Sequence, residues 1–170
     1  ISENTNAEFL DFYNNEAFLY KTYSWEGTTF NPPIPDESSS ILWNGWEQIH
    51  PNHKEKVNWK PLINLYTTIL KKDNTYINQN ISSQINLDNF IDYFILIQLV
   101  GGSDNYGKNQ VLMKRNSSSP FYIIPWDLDA TWGRDWLNTP TSTNAIFANN
   151  LFKQLIVLNP EQYKQRMKTR

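Results

Sequence analysis

Residues 101–133 constrain the fold of this chain more than any other stretch. Two short apolar runs, residues 110–114 and 121–125, flank a segment that is rich in Asn, Ser and Pro. Runs of β-branched and aromatic residues separated by turn-forming residues are typical of a β-hairpin. The stretch therefore predicts a two-stranded hairpin in the second half of the chain.

Polar residues lie at the open end of this predicted hairpin. Asp104 and Asn109 precede the first strand, and Asp127 and Asp129 follow the second. The start of one strand and the end of the other lie side by side in an antiparallel pair, so we expect Asn109 and Asp127 to be neighbours. Asp104 belongs to the loop that leads into the same end. Carboxylate and amide oxygens suit a hard divalent cation, so the sequence predicts a cation site here.

Length and composition exclude several classes of protein. The chain has 170 residues, 39% of them hydrophobic, which suits one domain with its own core. A formal net charge of −2 argues against a nucleic-acid-binding protein, because such binding relies on neutralising phosphates. The absence of cysteine excludes a disulfide scaffold, a zinc–cysteine site and a cysteine nucleophile.

Apolar runs and the first residue bear on targeting. The longest apolar run, residues 93–100, is far shorter than the roughly 20 residues that a membrane span needs, so no span is predicted. No signal peptide is recognisable, and the chain begins at Ile1 rather than at Met. We expect it to be an excised fragment or a mature product.

Helical periodicity is clearest in two segments. Residues 59–72 carry apolar side chains at three- and four-residue spacing, with Asn58 as the expected N-cap. Residues 86–100 are apolar around most of the helix circumference, and Gly101 follows as a stop signal. This second segment is expected to be the central, buried helix.

Other assignments are less regular. On the second helix, we place Leu99 in the buried set and Tyr93 on the more polar side. Elsewhere the patterns predict a short helix at residues 8–15, a strand at 18–23, a long loop at 24–40 and a turn or short helix at 73–84. Two further helices are predicted near the C-terminal end, at residues 143–159 and 161–168. Residues 43–53 show no pattern that assigns them to an element.

The order of polar residues around the hairpin has a chemical meaning. An Asp, an Asn five residues later, a hairpin and a second Asp follow one another in kinase-type sites. There the first Asp orients the attacking hydroxyl and accepts its proton, while the Asn and the second Asp hold Mg²⁺ against the nucleotide phosphates. Because Asp and Asn are also ordinary turn residues, the spacing alone indicates a turn more often than a site.

Residues 102–109 (GSDNYGKN) and 121–133 (FYIIPWDLDATWG) together resemble the spore-coat-protein-H-like family, the CotH kinase domain. The family pattern is an Asp, a short spacer, Lys-Asn, a hairpin and a Pro-Trp-Asp-x-Asp element with a nearby Gly. Leu-Tyr-Lys at residues 19–21 and the helix leading into the loop at residues 87–99 also match. The resemblance covers most of residues 8–133.

The resemblance implies an atypical protein kinase that transfers phosphate from ATP to Ser or Thr hydroxyls of a protein substrate. It makes Asp104 the catalytic base and lets Lys108 offset developing phosphate charge. Asn109 and Asp127 would hold Mg²⁺, or else Ca²⁺ or Mn²⁺, against the nucleotide. Asp129 would be a carboxylate of a second metal or a neighbour of the first. An extracytoplasmic setting is also implied, either secreted, at the cell surface or in a spore coat.

The fold implied by the resemblance is α+β. Residues 31–170 would form a mainly helical, protein-kinase-like C-terminal lobe with a β-hairpin that bears the acidic site. Residues 1–30 would be a remnant of the N-terminal nucleotide-binding lobe, since no Gly-rich phosphate loop precedes a strand there. The rest of that lobe would lie upstream, so the fragment by itself would transfer phosphate poorly. Lys21, on a predicted strand, could reach a phosphate, although a solvated lysine is the commoner outcome.

Two departures from ordinary protein kinases stand in the motifs. Gly102 and Ser103 occupy the positions where His and Arg usually precede the catalytic Asp. Asp127 is followed by Leu-Asp rather than by Phe-Gly. Both departures argue against a conventional activation-loop switch.

Two other functions remain open. One is a non-catalytic, extracellular, aromatic-rich binding module, for example for a glycan, with a structural Ca²⁺ at Asp127 and Asp129. Exposed, coplanar Trp side chains in a groove would favour it, and buried ones would count against it. The other is glycoside hydrolysis by Asp104 and Asp127 as paired carboxylates. It ranks last, because the adjacent Lys108 and Asn109 have no particular use in it.

Other conspicuous side chains receive structural interpretations. Trp126, Trp132 and Trp136 flank the acidic motif, and we expect them to pack in the core beside the hairpin. His50 and His53 are expected in loops or at the surface, because no third ligand stands near them in the sequence.

Overall fold

The computed structural model describes residues 16–52, 54, 56–141 and 144–170, and the short helix expected at residues 8–15 lies outside them. Within the described residues, five α-helices accompany one five-stranded antiparallel sheet, which confirms the mixed α+β class. The likeness to a protein-kinase lobe and the division of the chain at residue 30 stay predictions. In this part of the chain, no helix is both long and apolar enough to cross a bilayer.

The sheet joins strands from both halves of the chain. Its members are β1 (Phe18–Thr22), β2 (Leu42–Trp43), β3 (Trp46–His50), β4 (Gln110–Lys114) and β5 (Tyr122–Pro125). Their order across the sheet is β2-β3-β1-β4-β5, so β1 is the central strand. β4 and β5 form the predicted hairpin, with Gln110 opposite Pro125 and Met113 opposite Tyr122. The hairpin is thus anchored along its first strand by β1.

The expectation of a helical lobe with a single hairpin is wrong, because β2 and β3 form a second hairpin within the unassigned segment. Trp43 pairs with Trp46 across Asn44 and Gly45, whose φ angles are 49° and 83°. Asn-Gly is the preferred pair for a two-residue hairpin turn, since both positions require positive φ. The Asn-Gly pair is visible in the sequence, but the short strands on either side of it do not alternate clearly between apolar and polar residues. His50 lies at the end of β3 rather than in a loop and is partly exposed, and His53 lies outside the described residues.

The helices are α1 (Lys60–Lys71), α2 (Asn74–Gln84), α3 (Leu87–Val100), α4 (Asn150–Leu158) and α5 (Tyr163–Lys168), the last preceded by a 3-10 turn at Pro160–Gln162. The two strongest periodic predictions, α1 and α3, are confirmed. The N-cap of α1 is Trp59 rather than Asn58, although the Asn58 Oδ1 atom accepts a hydrogen bond from Lys60 N at 3.1 Å. The buried indole of Trp59 donates to Ser40 O at 2.9 Å, which fixes where this helix begins.

Helix α3 is the central helix of the fold, but two of its side chains were placed wrongly. Tyr93 is buried, because its hydroxyl finds an acceptor inside the protein at Asn105 O. Leu99 is 72% exposed. It follows Asp88 and Asp92 by eleven and seven residues, so helical geometry places it on the same outward stripe. The solvent-facing side of α3 is therefore defined by its acidic residues and not by hydrophobicity.

Helix α4 begins at Asn150, seven residues later than predicted from residues 143–159. The Gln98 side chain explains the delay, because it holds the backbone of Phe147 from both sides. Phe147 N donates to Gln98 Oε1 at 2.9 Å, and Gln98 Nε2 donates to Phe147 O at 2.8 Å. Asn149 then caps the helix by accepting from Phe152 N at 3.1 Å. Ile146, which precedes the helix, is 78% exposed.

Ion pairs hold α5 against α3. Arg166 Nη2 lies 2.7 Å from Asp88 Oδ1, and Arg170 Nε lies 3.1 Å from Asp92 Oδ1. The hydrogen bond from Arg166 is the main reason that the pKa of the Asp88 carboxyl is lowered, and Arg170 adds to the effect. A carboxyl with a lowered pKa stabilises the fold above its ordinary pKa and loses that contribution as the pH falls through the lowered value.

We predict that Asp88→Asn lowers the free energy of unfolding by at most about 1 kcal/mol at neutral pH, because the pair is half-exposed. The difference from the wild type should become smaller at about pH 2, because the wild-type carboxyl loses its charge as the pH falls through its lowered pKa. Urea unfolding at both pH values measures this, with Asp92→Asn as a control that loses only one longer contact. An equal loss of unfolding free energy at both pH values would contradict the conclusion that the ionised Asp88 carboxyl stabilises the fold.

Candidate functional site

A cleft of about 380 Å³ opens at the end of the β4–β5 hairpin. The residues that line it are Trp25, Asp104, Lys108, Asn109, Asp127, Asp129 and Trp136. All the site residues predicted from the sequence are in this set except Lys21. The structure therefore brings the acidic motif, the Lys-Asn pair and the loop Asp together in one cavity. It adds two indoles to the walls, of which Trp25 carried no sequence signal.

The predicted proximity of Asn109 and Asp127 is confirmed. Trp126 N donates to Asn109 O at 2.9 Å, which extends the ladder one step beyond the Gln110–Pro125 pair. Asn109 Nδ2 donates to the backbone oxygen of Asp127 at 3.3 Å. Because the amide nitrogen is used in this way, Oδ1 is the Asn109 atom available to a cation. The role of these residues as ligands stays a prediction.

Both of these residues have a left-handed backbone. The φ angle is 50° at Asn109 and 50° at Asp127. This region is disfavoured for residues with a Cβ, although Asn and Asp tolerate it better than most. Such conformations occur mainly where surrounding contacts hold them, and they cluster at functional sites. The two strands therefore end in matching kinks at the mouth of the cleft.

The loop that carries Asp104 is a tight turn. Its backbone oxygen accepts hydrogen bonds from Lys108 N at 2.8 Å and from Gly107 N at 3.3 Å. The Asp104 and Lys108 side chains are both partly exposed and line the cleft. The turn thus brings a carboxylate and an ammonium group close to the strand end that begins with Asn109.

Residues 24–30 brace this loop from outside. The Thr28 hydroxyl donates to Gly107 O, and the Trp25 ring lies against Gly107 and edge-on to Tyr106, with ring centroids 5.1 Å apart. A Cβ added at Gly107 would lie only 2.4 Å from the Trp25 ring and 2.7 Å from Thr29 Cγ2. Glycine is therefore required here by the close approach of the indole.

Asp129 lies at the exposed rim of the cleft. Its Oδ1 atom accepts a hydrogen bond from Ala130 N at 2.8 Å, and Thr131 Oγ1 donates to Leu128 O at 2.7 Å. These bonds form a turn directly after Asp127. The Asp129 carboxylate thus accepts a hydrogen bond within this turn. Its predicted role near a metal stays a prediction.

Lys21 lies next to the cleft but is not part of its lining. Its Nζ atom lies 4.2 Å from the centroid of the Trp126 ring, a cation–π arrangement. The interaction orients the lysine along the outer side of β1 and β4, beside the strand end that carries Asp127. Its predicted contact with nucleotide is not tested by this geometry and stays a prediction.

The expectation that the three Trp residues near the motif pack in the core is wrong for two of them. Trp132 is 76% exposed and Trp136 is 68% exposed, whereas Trp126 packs partly buried against a small cluster. The reason is the narrow surface loop that carries them, in which Arg134 pairs with Pro140 and Thr141 N donates to Gly133 O at 2.8 Å. The loop folds back on itself and holds both indoles outside.

The donor set fits a hard cation whose coordination is completed by its ligand. Asn109 and Asp127 offer an amide and a carboxylate oxygen at adjacent strand ends. Within the described residues, no group of three or more His, Cys, Asp or Glu side chains is placed to hold a metal. Mg²⁺ typically takes one or two carboxylates together with water and phosphate oxygens, whereas Ca²⁺ takes six to eight oxygens. The Asn109 amide and the Asp127 carboxylate could hold Mg²⁺ together with phosphate oxygens, and the identity of a bound cation stays a prediction.

The fold and cleft define an α+β domain with a carboxylate–amide site at the open end of a hairpin. Residues 2–170 match the family described as CotH kinase protein, and the chain belongs to this family. Over 55 residues it is 31% identical to inner spore coat protein H of Bacillus subtilis (strain 168). That alignment covers 32% of this chain and only 15% of the relative's length. The resemblance read from the sequence motifs is thereby confirmed.

We predict that Gly107→Ala displaces the Trp25 ring and destabilises the protein by about 1–3 kcal/mol, the usual cost of overpacking. Thermal unfolding and the tryptophan emission maximum measure the two effects. Ser103→Ala, in the same loop, is the control. A Gly107→Ala variant with the wild-type Tm and emission would show that the Trp25 contact does not brace the loop.

Proposed function

We propose that this chain is the kinase-related domain of an atypical protein kinase that transfers the γ-phosphoryl group of ATP to a Ser or Thr hydroxyl of a protein. The observation that carries the proposal is the meeting of Asn109, Asp127 and Asp104 in one cleft. Membership of the CotH kinase family supports it independently of the geometry. The kinase chemistry needs these three groups to act on one phosphate.

Each of the chain's own groups has a definite role in this proposal. Asp104 accepts a hydrogen bond from the acceptor hydroxyl and receives its proton as the new P–O bond forms and the bond to the ADP oxygen breaks. Lys108 places a positive charge at the same wall of the cleft, where charge develops on the transferred group. Asn109 and Asp127 provide the oxygens for a cation. Bound Mg²⁺ would supply neutralisation of the phosphate charges.

The described residues provide this catalytic wall but no Gly-rich loop over a phosphate. We therefore propose that an upstream N-terminal lobe of the same protein completes nucleotide binding, with Lys21 as a contact between the two. The matched relative is an inner spore coat protein, which supports a spore-coat setting for this chain. The phosphate acceptor is then a Ser- or Thr-containing protein at that location.

The central test uses the full-length protein with Mg²⁺ and ATP. We expect Asp104→Asn to retain Mg²⁺-dependent nucleotide binding in calorimetry and to lower the rate of phosphoryl transfer at least about 100-fold, because it removes the proton acceptor. We expect Asp127→Asn to lose the Mg²⁺-dependent part of nucleotide binding itself. The matched control is Asp135→Asn, since Asp135 lies outside the cleft and accepts from Leu137 N and Thr139 N.

Two outcomes would refute parts of the proposal. Equal Mg²⁺-dependent nucleotide binding by the wild type and Asp127→Asn would remove the assigned cation ligand. Full phosphoryl transfer by Asp104→Asn would remove the assigned base. A loss of activity in Asp135→Asn as large as in the other two would show that the effects come from the stability of the loop rather than from the site.

A second candidate function is supported by the exposed indoles. Trp25 is 41% exposed and Trp136 is 68% exposed, and both line the acidic cleft. Exposed aromatic walls are typical of sites that stack on sugar rings or other flat ligands. This observation favours a non-catalytic binding module, in which Asp127 and Asp129 would hold a structural Ca²⁺.

We predict that, if the chain is a binding module, Trp136→Ala abolishes binding on a glycan array by removing one wall. Trp132→Ala is the matched control, because that indole is equally exposed but lies outside the cleft. The kinase proposal predicts instead that the wild type binds nucleotide and that neither Trp variant binds glycans. Loss of array binding in Trp136→Ala alone, with no nucleotide binding by the wild type, would favour the binding module.

A further inference from the structure

Asn105 is a buried side chain behind the cleft that sequence reasoning missed. It is completely buried, and its Nδ2 atom donates to two backbone oxygens, Asn109 O at 2.8 Å and Trp126 O at 2.9 Å. Asn109 is the residue through which the chain enters β4, and Trp126 is the residue through which it leaves β5. A single amide group therefore bridges both strands at the open end of the hairpin.

Asn105 is itself fixed from the helical core. Its backbone oxygen accepts a hydrogen bond from the Tyr93 hydroxyl of α3, and its backbone nitrogen donates to Gly102 O at 3.1 Å. Burial raises the pKa of the Tyr93 hydroxyl, so this group remains a donor throughout the pH range in which proteins are folded. Asn105 thus connects helix α3 to the two strand ends at the mouth of the cleft.

The two hydrogen bonds fall beside the strained residues. The Trp126 carbonyl belongs to the peptide unit that enters Asp127, and the Asn109 carbonyl belongs to the unit that leaves Asn109. Both Asn109 and Asp127 have a φ of 50°. A left-handed conformation is disfavoured at residues with a Cβ and persists where neighbouring contacts enforce it. Asn105 supplies one such contact to each.

We propose that Asn105 is a positioning residue that sets the placement of the Asn109 amide relative to the Asp127 carboxylate. It acts through the backbone and touches neither substrate nor cation. The proposal rests on the proposed function only in taking these two side chains as the cation ligands. Residues that orient metal ligands from behind typically change metal affinity 10- to 100-fold when they are replaced.

Asn89 offers a matched control for a purely structural role. Its side chain also makes two hydrogen bonds from the helical core to the hairpin, donating from Nδ2 to Ile123 O at 3.1 Å and accepting on Oδ1 from Ile123 N at 2.7 Å. Ile123 lies in β5, three residues before Trp126 and away from the residues that line the cleft. Loss of either clamp should destabilise the hairpin, but only loss of Asn105 should disturb the site.

The test measures binding of Tb³⁺, a hard oxygen-seeking cation, to the full-length protein. Its luminescence is excited through tryptophan, since Trp25 and Trp136 line the cleft, and Mg²⁺ competes for the site. We expect Asn105→Ala to weaken Tb³⁺ binding at least about tenfold, and Asn89→Ala to change it little at a similar loss of Tm. Unchanged affinity in Asn105→Ala, or an equal loss in both variants, overturns the proposal.

Two further measurements keep the test decisive. Tyr93→Phe removes the hydroxyl that anchors Asn105, and it should weaken Tb³⁺ binding in the same direction if Asn105→Ala does not fold. Hydrogen exchange of residues 104–109 and 126–130 should accelerate in Asn105→Ala and not in Asn89→Ala. If the wild type binds no Tb³⁺, Asn109 and Asp127 are not cation ligands, but the same pattern of hydrogen exchange still supports positioning by Asn105. Unchanged hydrogen exchange in Asn105→Ala overturns the positioning role.

Discussion

Antiparallel pairing between β4 and β5 is the interaction on which the candidate site depends. The ladder ends with Gln110 opposite Pro125, and the hydrogen bond from Trp126 N to Asn109 O adds one more step. A shift of one residue in this register would turn every side chain of one strand to the opposite face. Asn109 and Asp127 are adjacent only because the register is fixed.

The hairpin is also held by contacts from outside it. β1 pairs along β4, with Tyr20 opposite Leu112, and places the hairpin within a five-stranded sheet. Asn89 of α3 holds the backbone of Ile123 in β5 from the other side. The sheet and the central helix therefore hold both strands, while the loops at the open end are left to form the cleft.

Local patterns predicted the parts of the structure that depend on local interactions. Periodicity and turn residues predicted the hairpin, α1 and α3. Antiparallel pairing of the two predicted hairpin strands predicted that the residues of the cleft lie together. The misplaced features depend on distant partners. The late start of α4 depends on Gln98, which lies 49 residues away from Phe147, and the burial of Tyr93 depends on an acceptor at Asn105. The overlooked Asn44-Gly45 turn was a local signal, but its flanking strands are too short to show alternation.

The cleft combines a carboxylate and an amide at the strand ends with aromatic walls. In the proposed function these two oxygen donors leave most of a cation's coordination to the phosphate groups of the substrate. Trp25, from residues 24–30, reaches the cleft because its ring packs on Gly107 of the loop that presents Asp104. Asn105 connects this loop to both strands from behind. This wall of the cleft is thus one connected unit rather than a set of independent loops.

The most direct test of this account is to locate a cation in crystals of the protein soaked with Mn²⁺, whose anomalous scattering identifies it. The account predicts one Mn²⁺ in the cleft with Asn109 Oδ1 and an Asp127 carboxylate oxygen both within about 2.5 Å, a distance typical of oxygen ligands to divalent cations. Mn²⁺ bound by Asp127 and Asp129 without Asn109, or a cleft without Mn²⁺ at saturating concentration, would contradict it.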